Sequence, residues 1–293
     1  MRSLLFVPAD GGSKLDKAFG CGADAVIIDL EDSIAPDRKA EARASAAAFL
    51  EKASLEASRP RLFVRINALA TGLADADLDA VVPARPDAIM LPKAEGGAAV
   101  VHAEAKLAAR EARSGLEDGH VKIVAQAIET AAGLFQVGTF GRASARLIGL
   151  TWGPEDLSAE IGAETNRDRD GRITEPYRLA RSLCLFGAAA AEVAAIETVY
   201  VDFRNLAGLR SDTEEARRDG FSARLAIHPA QVEVINEVFT PAADALAKAR
   251  AIIAAFDSAP SAGVIAIDGV MYDRPHLLRA KGVLARAKAA GLA

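Results

Sequence analysis

The chain has 293 residues, 51% of them hydrophobic, enough to bury one large core, and α/β barrels commonly fill roughly 250 residues as one domain. Against 40 acidic residues it carries 35 basic ones, a net charge of −5 that excludes the basic excess behind nucleic-acid or anionic-membrane binding. The apolar run of the opening MRSLLFVPAD stops at Pro8 and Asp10, too short for a signal sequence, and no stretch approaches ~18 uninterrupted apolar residues, so a cytoplasmic protein is expected.

Short β-branched runs then alternate with Ala-rich helical segments. A strand is predicted at 3–7, and a second at 24–29 that ends in Asp29-Leu30-Glu31-Asp32 and leads into a helix over 37–55. The third, 61–66, ends in Arg65-Ile66-Asn67; the fourth, 87–91, runs into Pro92-Lys93 and a helix over 95–114. The fifth, 121–127, leads to Glu129-Thr130, and the sixth, 145–151, to Gly153-Pro154-Glu155-Asp156, before a helix over 175–194. A seventh at 197–202 ends in Asp202-Phe203-Arg204, and an eighth at 223–227 ends in His228-Pro229 before a helix over 229–256. Strands hydrophobic throughout are buried on both faces, and their alternation with helices implies a parallel sheet. Eight such units predict a closed (β/α)8 TIM barrel over 1–257. Pro260-Ser261-Ala262-Gly263 reads as a linker, and 258–293 as a C-terminal lid segment with a loop around 268–275 and a final helix.

Cys21 and Cys184 sit in apolar contexts and read as small buried hydrophobes. With no CxxC and with His102, His120, His228 and His276 scattered, zinc has no support. NRDRDGRITEPY (166–177) imitates a calcium loop through Asn166, Asp168, Asp170 and Gly171, but Tyr177 stands where a bidentate Glu belongs, so a solvated turn is expected.

In a parallel barrel the residues just past neighbouring strands converge at one rim, where catalytic groups collect. Glu129 and Asp156 lie there, about one βα unit apart, and two carboxylates can hold Mg²⁺ while water and chelating substrate oxygens fill its other positions. The alternative for each is a solvated loop acid or a helix N-cap. Arg65 is the cation placed to pair with a carboxylate or an enolate oxygen, its alternative being a structural ion pair with a rim acid.

RSLLFVPAD, GADAVIIDLEDSIAPDRKAEAR, VRIN, LPK, AIET, WGPEDL, AIHPAQVEVINEVF and DGVMYDRPHL follow one another from residue 2 to about 278. Together they resemble the CitE-like branch of the HpcH/HpaI aldolase and citrate lyase superfamily. The resemblance implies a TIM barrel with Mg²⁺ held by Glu129 and Asp156, substrate oxygens chelating the metal, and Arg65 at the reacting thioester carbonyl. It also implies that Glu31 and Asp32 orient water around the metal, and that the protein forms a homo-oligomer, a trimer or dimer of trimers, whose C-terminal segments close neighbouring sites. Asp273 matches the position that carries an acid or base role in malyl-CoA lyase-like relatives, although DRPHLL is also a respectable helix start. Two departures stand out: Gly220-Phe221-Ser222-Ala223-Arg224 replaces the usual GFxGK, and the chain keeps a long tail.

The function expected is a Mg²⁺-dependent carbon–carbon lyase or condensing enzyme acting on a short hydroxyacyl-CoA of the malyl-, methylmalyl- or citramalyl-CoA type. Its partners are then an acyl-CoA and a 2-oxo acid, with no nucleic acid or membrane. Arg2, Lys14, Lys17 and Arg224 are the candidates for the CoA phosphates. The alternatives are a thioesterase on the same site, a class II pyruvate aldolase, and a non-catalytic acyl-CoA-binding barrel.

Overall fold

A computed structural model describes residues 1–292. Eight parallel strands close on themselves in chain order: β1 (Ser3–Pro8), β2 (Ala25–Asp29), β3 (Arg61–Arg65), β4 (Ala88–Leu91), β5 (Lys122–Ile128), β6 (Leu147–Trp152), β7 (Ala194–Glu197) and β8 (Ala223–Ala226). The connecting helices are α1 (Ser13–Phe19), α2 (Lys39–Ser54), α3 (Ala74–Val81), α4 (Gly97–Arg113), α5 (Ala131–Gln136), α6 (Pro154–Glu160), α7 (Glu175–Ala190) and α8 (Leu206–Asp219), with α9 (Pro229–Phe239) after β8. The molecule is therefore a (β/α)8 barrel.

Side chains alternate across each strand and so build two cores. Leu4, Ala25, Ile27, Phe63, Met90 and Leu225 fill the barrel interior. Leu5, Val26, Ile28, Val64 and Ile89 pack outward under the helices. Register then decides what reaches the rim. Pro8 pairs with Asp29 and Asp29 with Arg65, which puts three residues of one inward stripe at the same level at the C-terminal ends of their strands.

Two boundaries differ from expectation. β7 is Ala194–Glu197 rather than 197–202, because Gly149 and Leu150 pair with Ala194 and Ala195, so β6 ends level with Glu197 and the β-branched run beyond has no partner on that side. The helix expected over 229–256 breaks into α9 and α10 (Ala243–Ser258) at Thr240-Pro241-Ala242, where Pro241 cannot donate to the helical ladder.

The tail is a hairpin and a helix: β9 (Val264–Ile267), β10 (Val270–Asp273) and α11 (Arg274–Ala289). The expected loop around 268–275 is a two-residue Asp268-Gly269 turn with φ of 50° and 75°, followed by β10 and the start of α11. Ala249, Ile252 and Phe256 of α10 pack with Tyr272, Leu277 and Ala280 in a small core of their own. α10 thus belongs by packing with the tail, and Pro260–Gly263 is a turn inside that unit. Among the described residues no helix is long and apolar enough to cross a membrane. Cys184 is buried, whereas Cys21 is only half-buried.

Candidate active site

The rim of the barrel opens a cleft of about 320 Å³ lined by, among others, Phe6, Asp29, Arg65, Glu129, Trp152 and Asp156. Glu129, one residue past β5, is only 2% exposed. Its Oε2 accepts the backbone N–H of Lys93 at 2.6 Å, and its Oε1 accepts from the Gln126 amide at 2.6 Å. Lys93 reaches that geometry in a left-handed conformation, φ 48°. Gly153 makes room for the carboxylate, since a Cβ there would lie 2.9 Å from Glu129 Cγ. Burial pushes the Glu129 carboxyl up to about 8; the Lys93 amide opposes the rise, while the negative charges of Asp156 and Glu31 add to it.

Asp156, in the first turn of α6, is half-buried. The Lys93 ammonium lies 3.1 Å from Asp156 Oδ1 and 3.1 Å from Glu31 Oε1, bridging acids that follow different strands. Although burial works against that ammonium, Glu31 and Glu129 hold its pKa above the usual lysine range.

Arg65 is fixed by Asp29, to which Nε and Nη2 each donate at 2.7 Å. Its Nη1 lies 2.9 Å from Glu31 Oε2, off the hydrogen-bond direction, and 3.8 Å from Asp32, while the Phe6 ring lies 4.8 Å from the guanidinium. Asp29 also accepts the backbone N–H groups of Glu31 (2.9 Å) and Ser33 (3.2 Å). Burial alone would raise the Asp29 carboxyl; Arg65 and these donors hold it below the usual carboxylate range. Burial lifts Glu31 despite the pull of Arg65. On the far wall the Trp152 indole donates to the buried Glu197 at 2.7 Å.

The donors at this rim are oxygens, and two of them, Glu31 Oε2 and Gln126 Oε1, are buried without a hydrogen-bond partner. Among the described residues no three His, Cys, Asp or Glu side chains come close enough to cage an ion. The donor set therefore fits a hard dication held by one or two carboxylates, with substrate and water oxygens completing its shell, rather than an all-protein cage.

The structure brings Glu31, Asp32, Arg65, Glu129 and Asp156 together and separates other candidates from them. Arg2 lies at the opposite end of β1, bound to Asp24 (2.7 Å) and Thr240 (3.0 Å), and so cannot reach a ligand at the rim. Arg224 is 0% exposed and paired with Asp212 at 2.7 Å, which removes it as a phosphate contact. Lys14 and Lys17 remain exposed on α1. Asp273 does not line the cleft; it caps α11 through a reciprocal pair with His276, their side chains 2.5 Å apart. Sequence reasoning placed Asp29 and Lys93 at the strand ends without giving either a role, and it missed Gln126. The period-two spacing of Ile27, Asp29 and of Phe63, Arg65 was the available signal for the first.

A family model described as HpcH/HpaI aldolase/citrate lyase matches residues 2–229. A (3S)-malyl-CoA thioesterase of Cereibacter sphaeroides is 36% identical over 98% of this chain and 95% of its own length. The mitochondrial citramalyl-CoA lyase of Rattus norvegicus is 33% identical over 97% of this chain and 85% of its own. A crystal structure of CitE from Mycobacterium tuberculosis, in complex with magnesium, acetoacetate and coenzyme A, superposes with a TM-score of 0.76 at 33% identity, covering 98% of both chains. With a family model spanning most of its length and relatives matched nearly end to end, the chain belongs to the HpcH/HpaI aldolase/citrate lyase family.

Proposed function

We propose that this protein is a Mg²⁺-dependent carbon–carbon lyase that cleaves, or in reverse forms, a short hydroxyacyl-CoA thioester. The observation that carries the reading is the convergence of Glu129, Asp156 and Arg65 on one cleft. Glu129 and Asp156 would hold the ion, which supplies Lewis-acid polarisation of the oxo-acid oxygen when bound. Arg65 would stand beside the thioester oxygen as an enolate develops there, and the Asp29 fork fixes its guanidinium beforehand, so little reorganisation is needed. Glu31 and Asp32 would accept hydrogen bonds from water in the same cleft. Lys14 and Lys17 would meet the CoA phosphates. Asp273 would act on a neighbouring copy's substrate as the proton-transfer group, in an oligomer of trimer type.

A thioesterase is the second reading, favoured by the relative of that name that matches 98% of the chain. Incubation with a panel of hydroxyacyl-CoA esters and mass spectrometry of the products separates the two. A lyase yields an oxo acid or aldehyde plus an acyl-CoA; a thioesterase yields free CoA and the intact hydroxy acid. Release of free CoA alone would overturn the first reading.

A further inference from the structure

A second cavity, larger than the cleft at about 710 Å³, lies between the loop that joins α6 to α7 and the first turns of α8. Four arginines line it in a chain whose net charge is −5. Arg181 is spent on Glu197 (2.5 Å) and Asp219 (2.7 Å). Of the lining acids, Asp212 is held by Arg167 (2.8 Å) and Arg224 (2.7 Å), whereas Glu215 lies 3.9 Å from the exposed Arg218. Among the described residues that leaves Arg169, Arg172 and Arg178 without a carboxylate partner, with Asp170 and the loosely held Glu215 on the acidic side.

The loop is shaped in advance. Asp168 Oδ1 accepts the backbone N–H groups of Asp170 (3.0 Å) and Arg172 (2.8 Å), so this oxygen of the calcium-like motif serves the turn itself. Arg167 donates to the Gly171 carbonyl at 2.7 Å and lies 5.2 Å from the Tyr200 ring. Arg178 gives its Nε–H to the Ile173 carbonyl (3.0 Å) and keeps its terminal N–H groups free. Guanidinium forks suit phosphate oxygens bidentately, and the volume falls within the roughly 300–1,000 Å³ typical of small-molecule sites.

We propose that this cavity binds a small phosphate-bearing polyanion at a site separate from the barrel cleft. Calorimetric titration of the full-length protein with sodium tripolyphosphate, in EDTA at fixed ionic strength, tests it. One saturable site is expected. Its affinity should fall about tenfold or more in an Arg169→Ala/Arg172→Ala variant, as loss of charge-assisted bonds predicts. Arg178→Gln, on the adjoining helix, should weaken it independently, and Lys14→Ala/Lys17→Ala should leave it unchanged. These side chains are exposed, so an unchanged melting temperature without ligand will show that the variants remain folded. Citrate should bind at least about tenfold more weakly than tripolyphosphate. The proposal is overturned by no saturable binding, by equal affinity in the arginine variants, by loss of binding in the lysine variant, or by citrate binding as tightly.

Discussion

At the scale of single residues the rim rests on Asp29 and Arg65, a buried pair joined by two 2.7 Å hydrogen bonds. Removing one member of such a pair leaves an uncompensated charge, so Asp29→Asn should cost about 3–5 kcal/mol in denaturant unfolding. The pH dependence has a definite sign. Because the folded carboxyl sits below its unfolded value of ~3.9, the stability it contributes is fully present above that pH and is lost as pH falls through the folded value. Acid titration of the melt should therefore be shallower in Asp29→Asn; equal slopes would remove the pair from the account. The motif showed Asp29 to the eye, yet a strand buried on both faces does not announce which of its terminal residues points inward. A different reason hid the role of Lys93, which depends on a left-handed backbone that sequence alone does not specify for a lysine. Arg2 and Arg224 misled for the opposite reason: sequence displays charge but not the buried or distant acids that consume it.

At the scale of elements, the tail behaves as a unit that begins with α10. Phe256 and Ile252 bury their side chains against Tyr272 and Leu277, so a chain ending at Pro260 would leave an apolar helix face in water. A chain ending at Thr240 would not. The shorter chain should stay monodisperse with a cooperative melt, and the longer one should aggregate, as light scattering would show; the reverse order would place α10 with the barrel. Strands and helices were legible because continuous hydrophobic runs and Ala-rich stretches mark them directly. The differences fall where pairing decides: β7 stops where β6 runs out, and the Asp268-Gly269 hairpin resembles a loop in sequence because its strands are four residues each.

At the scale of the whole molecule, the barrel was readable from eight successive strand–helix units. Asp273 stands outside its own cleft, capping α11. If it serves a neighbouring copy, Asp273→Asn should lower turnover by about 10²–10⁴-fold with binding preserved. Mixing that variant with Arg65→Ala should restore part of the activity, because some interfaces then carry both intact groups; full activity in Asp273→Asn would return the residue to capping alone. The central claim is that turnover depends on an ion held by Glu129 and Asp156. The direct measurement is turnover of an accepted hydroxyacyl-CoA across a Mg²⁺ titration, starting from EDTA, in the wild type and in Glu129→Ala. The account predicts a wild-type rate that vanishes in EDTA and returns with Mg²⁺, and a folded variant that stays silent throughout; activity retained in EDTA would contradict it.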